Sequence, residues 1–326
     1  MEAAIEAVGL SRSFAGVPAV RDANLRVAPG EITALVGPNG SGKTTLMLML
    51  ATLLRPDSGA VRIGGHDAVT DARAARAALG WMPDTLGAWP TLTVRETILA
   101  VCGMYGLSGA AAAARTGEML ALAGLEALAD QRSNTLSRGQ KQRLSLARAL
   151  VHGPRVLLLD EPASGLDPEA RLTQRRMLAD LAARGVAVLV TSHVLDELEE
   201  VAANVVFLRD GRTEAQEDVD AALRQSTQWR LRALDEAALD AALGRRGIPA
   251  TRRTSIGGAF HTVEVANDDE AAALLAALVA EGVRIVDFGP AAGALEQAFV
   301  QLAHRAVDPP TPAPDTPTPA NPEVAP

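Results

Sequence analysis

Only two of the 31 basic residues in this chain are lysines, Lys43 and Lys141. The first closes the run Gly37-Pro38-Asn39-Gly40-Ser41-Gly42-Lys43-Thr44, which fits the G-x-x-x-x-G-K-[ST] pattern. Glycines in such a run let backbone N–H groups converge on a phosphate chain where a Cβ would clash. Lys43 is expected at the β and γ phosphates and the Thr44 hydroxyl on Mg2+, with Thr45 continuing the phosphate-binding segment. A second run, Val156-Leu157-Leu158-Leu159-Asp160-Glu161, ends an apolar stretch in two carboxylates. Asp160 is suited to hold Mg2+ through water, and Glu161 to orient and polarise an attacking water. Two carboxylates after a strand can also cap a helix. Joined to the glycine-rich loop, they point to hydrolysis of a nucleoside triphosphate.

These residues need a sheet edge to meet at. Ile32 to Val36 reads as a short strand before the loop, and the apolar run 46–54 as a helix after it. Further strand-like runs lie at 61–63, 156–159, 186–190 and 205–208, with helical patterns at 93–104, 110–122, 140–152 and 169–183 between them. Strands alternating with helices predict an α/β domain with a largely parallel sheet, whose C-terminal edge would carry both runs. From about 226 the order becomes βαββαβ: strand 228–234, helix 235–246, strand 249–255, a turn at Gly257-Gly258, strand 259–265, helix 268–281 and strand 283–288, then a closing helix 292–304. That order is the ferredoxin-like one. The last 20 residues hold eight prolines and are expected to be disordered.

Composition narrows the classes. At 326 residues, 48% hydrophobic and 21% charged, the chain has the make-up of a globular protein with about two domains. A net charge of −8 argues against a uniformly basic nucleic-acid surface, and no nucleic-acid partner is expected. The single cysteine, Cys102, precludes an internal disulfide framework. The opening MEAAIEAVGL does not read as a signal peptide, and the longest wholly apolar run, 271–280, is half of what a bilayer span needs, about 20 residues.

Leu136-Ser137-Arg138-Gly139-Gln140 resembles the LSGGQ signature of ABC ATPases. Ser164-Gly165-Leu166-Asp167 resembles the D-loop of that family, Thr191-Ser192-His193 its switch histidine, and Phe14 stands where the family places an aromatic that stacks on adenine. The interval of 117 residues between Lys43 and Asp160 leaves room for an inserted helical subdomain. The resemblance covers residues 1–222. It implies a P-loop ABC ATPase domain of mixed sheet and helical subdomain; the βαββαβ order adds a small α+β ferredoxin-like domain at 226–305, and the proline content a tail at 306–326. The resemblance also implies two copies pairing head to tail around two ATP molecules. Each site would then join the phosphate loop of one copy to Ser137, Arg138, Gly139 and Gln140 of the other, and Asp167 is a further nucleotide-binding candidate.

Two positions depart from the family pattern. Arg138 replaces a small residue, and its side chain is expected to point outward. In Gly80-Trp81-Met82-Pro83-Asp84 the family usually ends in glutamine. Asp84 keeps an oxygen donor, and joins Glu161 and His193 in the candidate catalytic set and Thr44 and Asp160 in the candidate metal set. Leu295-Glu296-Gln297-Ala298-Phe299-Val300-Gln301-Leu302 resembles the closing helix of ATPase subunits of ABC type-2 exporters, the daunorubicin-resistance-like group. That implies a separate transmembrane permease, with this chain on the cytoplasmic face of the membrane and a drug-, lipid- or polysaccharide-like cargo. Helix 93–104 and the loop 83–92 would form the permease groove, with Trp81 and Trp89 as anchors. Alternatives are an importer subunit, a soluble ABC ATPase acting on ribosomes, and a chromosome ATPase. The last would need a coiled-coil insertion that the interval 43–137 does not show.

Overall fold

The computed structural model describes residues 2–304 apart from 86, 88, 225–227, 256, 257 and 292. The proline-rich tail and part of the Gly257-Gly258 turn lie outside the described residues. The first third of the chain contains β1 (Ile5–Phe14), β2 (Val17–Val27), β3 (Ile32–Val36), α1 (Lys43–Leu50), β4 (Ser58–Ile63), β5 (His66–Asp67), α2 (Ala72–Ala78), β6 (Leu79–Met82) and α3 (Val94–Met104). The middle contains α4 (Gly109–Ala123), α5 (Arg138–Leu150), β7 (Val156–Asp160), α6 (Pro168–Ala183), β8 (Ala187–Thr191), α7 (Leu195–Glu199), β9 (Asn204–Arg209), β10 (Arg212–Thr213) and α8 (Gln216–Arg224). There follow β11 (Gln228–Ala233), α9 (Glu236–Arg245), β12 (Ala250–Ser255), β13 (Gly258–Glu264), α10 (Asp268–Ala280), β14 (Ile285–Pro290) and α11 (Ala294–His304).

The central sheet has the order β10-β9-β3-β8-β7-β6 and is parallel from β9 to β6. Strands β3, β7 and β8 are buried throughout, and successive side chains serve two different layers. Ile32, Ala34 and Val36 face the layer of α3, α4 and α5, whereas Leu35 faces α1; in β7, Leu157 and Leu159 take the first side, Val156 and Leu158 the second. Period-two alternation between two apolar layers explains why these strands read as continuous apolar runs rather than as polar–apolar repeats.

A separate antiparallel sheet, ordered β2-β1-β4-β5, covers the α1 layer. The expected fold lacked its two long strands. They are half exposed, and register shifts interrupt their pairing near Leu10 and Arg12, so no clean alternation marks them in the sequence.

The segment from 228 forms a third sheet, β12-β13-β11-β14, all antiparallel, with Leu231 and Val263 buried against Leu239 and Leu243 of α9 and Leu274 and Leu278 of α10. The closing helix does not join that core. Leu295, Ala298 and Leu302 of α11 are buried with Leu198, Phe207, Val219 and Ala222, so this helix packs on the first unit, not on the small sheet with which its position in the chain grouped it. Among the described residues no helix is long and apolar enough to cross a membrane.

Candidate functional site

β3 runs directly into the glycine-rich loop, and Lys43 is the first residue of α1. Close backbone approach explains two of the glycines. A Cβ at Gly37 would collide with the Leu208 carbonyl oxygen, and one at Gly42, where φ is +102°, with that of Ala19. The Lys43 Nζ donates to the carbonyl oxygens of Gly37 (2.7 Å) and Pro38 (3.0 Å), which arches the loop over it. Burial lowers the affinity of this amine for its proton, and the carboxylates of Glu161 and Asp160 oppose that effect. Thr44 is exposed on the first turn of α1, Thr45 half-buried. The Ser41 Oγ is buried and has no hydrogen-bond partner among the described residues, a donor left for a ligand in the loop. Gly40 (φ +82°) and the exposed Pro38 and Asn39 form the loop's outer rim.

β8 lies between β3 and β7, and its last residue organises the carboxylates. The Thr191 hydroxyl donates to Asp160 Oδ1 (2.7 Å) and accepts the backbone N–H of Glu161 (3.0 Å). Burial holds the Asp160 carboxyl above the usual carboxylate range; the Thr191 bond opposes this, while the charges of Asp84 and Glu161 reinforce it. Glu161 has φ +52°, a strained backbone for a non-glycine residue, and Gln142 Nε2 donates to its carbonyl oxygen (2.8 Å). The turn delivers the Glu161 carboxylate to His193, whose Nδ1 lies 2.7 Å from Oε2. Lys43, Asp160, Glu161, His193 and Asp84 are therefore one cluster, as their residue types require. The positioning roles of Thr191 and Gln142 are what sequence reasoning missed. Neither bears charge, and only the register Asp160↔Thr191 brings the threonine to the carboxylate.

Around Asp160 the charges of Asp84 and Glu161 outnumber that of Lys43, an excess of negative charge that suits a cation. No group of three or more His, Cys, Asp or Glu forms a closed metal cage among the described residues. Mg2+ is usually held by one or two protein groups together with phosphate oxygens and water. Thr44 and Asp160 are the residues that fit, with Asp84 within electrostatic reach of Asp160.

The remaining candidates form a second group. Ser137 caps α5 through a reciprocal box: its Oγ accepts from the Gln140 N–H, and its own N–H donates to Gln140 Oε1. Arg138 does not project freely outward as expected. Its Nη2 donates to Ser164 Oγ (2.8 Å), and its stem lies over Gly165 so closely that a Cβ there would be 2.6 Å from Arg138 Cδ. Gly139 abuts Leu166. Asp167 caps α6 by accepting from the Ala170 N–H (2.8 Å). None of these hydrogen bonds reaches the phosphate loop. Phe14 is exposed at the end of β1, paired with Val17 two residues before the Ala19 carbonyl that contacts Gly42. Trp81 and Trp89 are half-buried in opposite layers, with the Arg148 guanidinium 5.0 Å from the Trp89 ring centroid. Both line one groove of about 410 Å3 with Pro83, Val101, Met104 and Tyr105.

The pattern of the family described as "ABC transporter" matches residues 20–164, which include the phosphate loop, the signature and the carboxylate pair. The chain is 42% identical over 211 residues to the Nod factor export ATP-binding protein I of Paraburkholderia xenovorans (strain LB400), covering 65% of this chain and 69% of that one. It is 36% identical to the lipopolysaccharide export system ATP-binding protein LptB of Acidithiobacillus ferridurans, covering 65% of this chain and 89% of that protein. The chain belongs to the ABC transporter ATP-binding family. Solved relatives agree in fold. An ATP-binding subunit of an ABC transporter superposes with a TM-score of 0.62 at 28% identity, over 67% of this chain and 92% of that one. The dimeric bacterial ABC transporter cassette MJ0796 gives 0.60 at 28% identity, over 65% of this chain and 97% of that one. The matched region thus carries the glycine-rich loop, Asp160 and Glu161 on the framework of an ABC ATPase.

Proposed function

We propose that this ABC ATPase is the motor of an exporter of the type-2 kind, acting with a separate transmembrane permease on the cytoplasmic face of the membrane. Two copies pair head to tail around two ATP molecules. The observation that carries the reading is the split of the candidate residues into two groups. Lys43, Asp160, Glu161 and His193 converge, while Ser137, Arg138 and Gly139 form the N-terminus of α5 and share no hydrogen bond with those side chains among the described residues. A helix N-terminus with free N–H groups is an anion site, and the phosphate loop of a second copy supplies the anion. Within each site Lys43 and the loop amides hold the triphosphate, Thr44 and Asp160 hold Mg2+, and Glu161, oriented by His193, accepts a proton from the attacking water. Mg2+ supplies neutralisation of charge on the phosphate oxygens.

Export, as against import, is supported by relatives named for Nod factor and lipopolysaccharide export and by the closing helix α11. The groove between Trp81 and Trp89 is the proposed seat of the permease, and residues 226–305 a proposed second domain. The test is ATP turnover of the purified chain against protein concentration, with and without membranes containing the hydrophobic product of a neighbouring gene. Turnover that rises with concentration and changes with those membranes supports the motor. Turnover indifferent to the membranes removes the transport role and leaves the ATPase.

A further inference from the structure

Arg138 and Asp84 are the two residues of the site that depart from the family pattern, and their charges are opposite. Each is uncompensated in the single chain. Arg138 is exposed at the first position of α5, the positive end of a helix, where a cation is unfavourable. Its tether is the neutral hydroxyl of Ser164, and no carboxylate pairs with it among the described residues. Asp84 is exposed, enters no hydrogen bond or ion pair among the described residues, and adds negative charge beside Asp160 and Glu161. Asp84 thus adds to the negative charge around Asp160, and Arg138 is a cation with no carboxylate partner among the described residues.

We propose that Arg138 of one copy pairs with Asp84 of the second copy across the bound ATP, and that this pair selects a second copy of this chain as the dimer partner. The inference rests on the head-to-tail reading above, in which the Ser137–Gln140 segment of one copy faces the γ-phosphate end of the other's loop. Two-fold symmetry makes the contact twice. Pairing with a cassette that has neutral residues at both positions leaves Arg138 and Asp84 desolvated without partners, which disfavours mixed dimers. Gly165 (φ +77°) gives Arg138 its resting berth, and Ser164 is the partner it leaves.

A charge reversal divided between two chains tests this. Both chains carry Glu161→Gln to arrest hydrolysis; one adds Asp84→Arg, the other Arg138→Asp. Alone, each meets like charges at both sites; mixed, opposite charges meet at both. Sedimentation velocity with ATP should show the Glu161→Gln parent dimeric and each reversed chain at least ~10-fold weaker in self-association. The equimolar mixture should recover a heterodimer of near-parental affinity. Binding of a fluorescent ATP analogue by each chain reports that it is folded. Reversed chains that dimerise like the parent, or a mixture no better than its components, overturn the pair. A parent that stays monomeric with ATP overturns the head-to-tail reading itself, and the pair with it. If a reversed chain fails to bind the analogue, the neutral cycle Asp84→Asn, Arg138→Gln and both together decides: additive losses overturn the pair, and a double loss no greater than either single loss supports it.

Discussion

The chemistry of the site depends on one uncharged residue, Thr191. Its hydroxyl is buried and does two things, donating to Asp160 and accepting from the Glu161 amide. Thr191→Val removes both bonds with little change in volume, leaving a buried carboxylate and a buried N–H unsatisfied. The expected loss is about 1–3 kcal/mol of stability, measured by urea unfolding. It should also raise the Mg2+ concentration needed for half-maximal turnover. The Asp160 carboxyl already lies above the ordinary carboxylate range because of burial, so its ionised form is disfavoured in the folded chain. That cost is present in full at pH values above the raised folded pKa and is relieved as pH falls through it. For the nucleotide-free chain, acidification into that window therefore removes a destabilising contribution, while it weakens the Mg2+ site by protonating a ligand. Half-saturating Mg2+ should rise on the acid side above the ordinary carboxylate range. Asp84→Asn should shift this limb to lower pH, because it removes one of the charges that hold Asp160 up. An acid limb that Asp84→Asn leaves in place would remove Asp84 from the electrostatics of the site.

At the scale of elements, the sequence displays what is buried on both sides and hides what is not. β3, β7 and β8 were legible because every residue is buried and nearly all are apolar, and the phosphate loop because glycine is needed where Leu208 and Ala19 approach. β1 and β2 were not, because bulges and a half-wet face break their alternation. Of the site, the charged groups could be read, but the hydrogen bonds of Thr191 and Gln142 depend on strand register and helix placement. Helix α11 shows the same limit: its apolar stripe is visible, but which core it completes is a tertiary fact. Leu302 is buried on the first unit, and Phe299 lies 6.4 Å from Phe207 between ring centroids. The Arg209 guanidinium also donates to the Leu302 carbonyl oxygen. Leu302→Ala should therefore destabilise the nucleotide-binding unit by about 2–5 kcal/mol, seen as a lower urea midpoint monitored by loss of ATP binding. A helix that only buttressed the small sheet would leave that midpoint unchanged.

At the scale of the whole molecule, the proposed composite site makes a prediction that no single-chain site shares. Lys43→Ala removes the phosphate contact and leaves the α5 end intact; Ser137→Ala does the reverse, at the expense of the α5 cap. Each variant alone pairs a defect into both sites of its dimer, so each should lose turnover. In an equimolar mixture about half the dimers contain one copy of each, and in those one site joins a sound phosphate loop to a sound Ser137 while the other combines both defects. Up to about a quarter of the parental rate should therefore return on mixing, with half the sites of half the dimers restored. The Ser137→Ala chain should still bind ATP when alone, since its own loop is untouched, and this separates a lost composite site from a lost fold. A mixture whose rate is the mean of its two components would mean that each chain hydrolyses ATP by itself. The α5 terminus would then be no more than a well-capped helix end, and the two-group arrangement of the site would have no bearing on turnover.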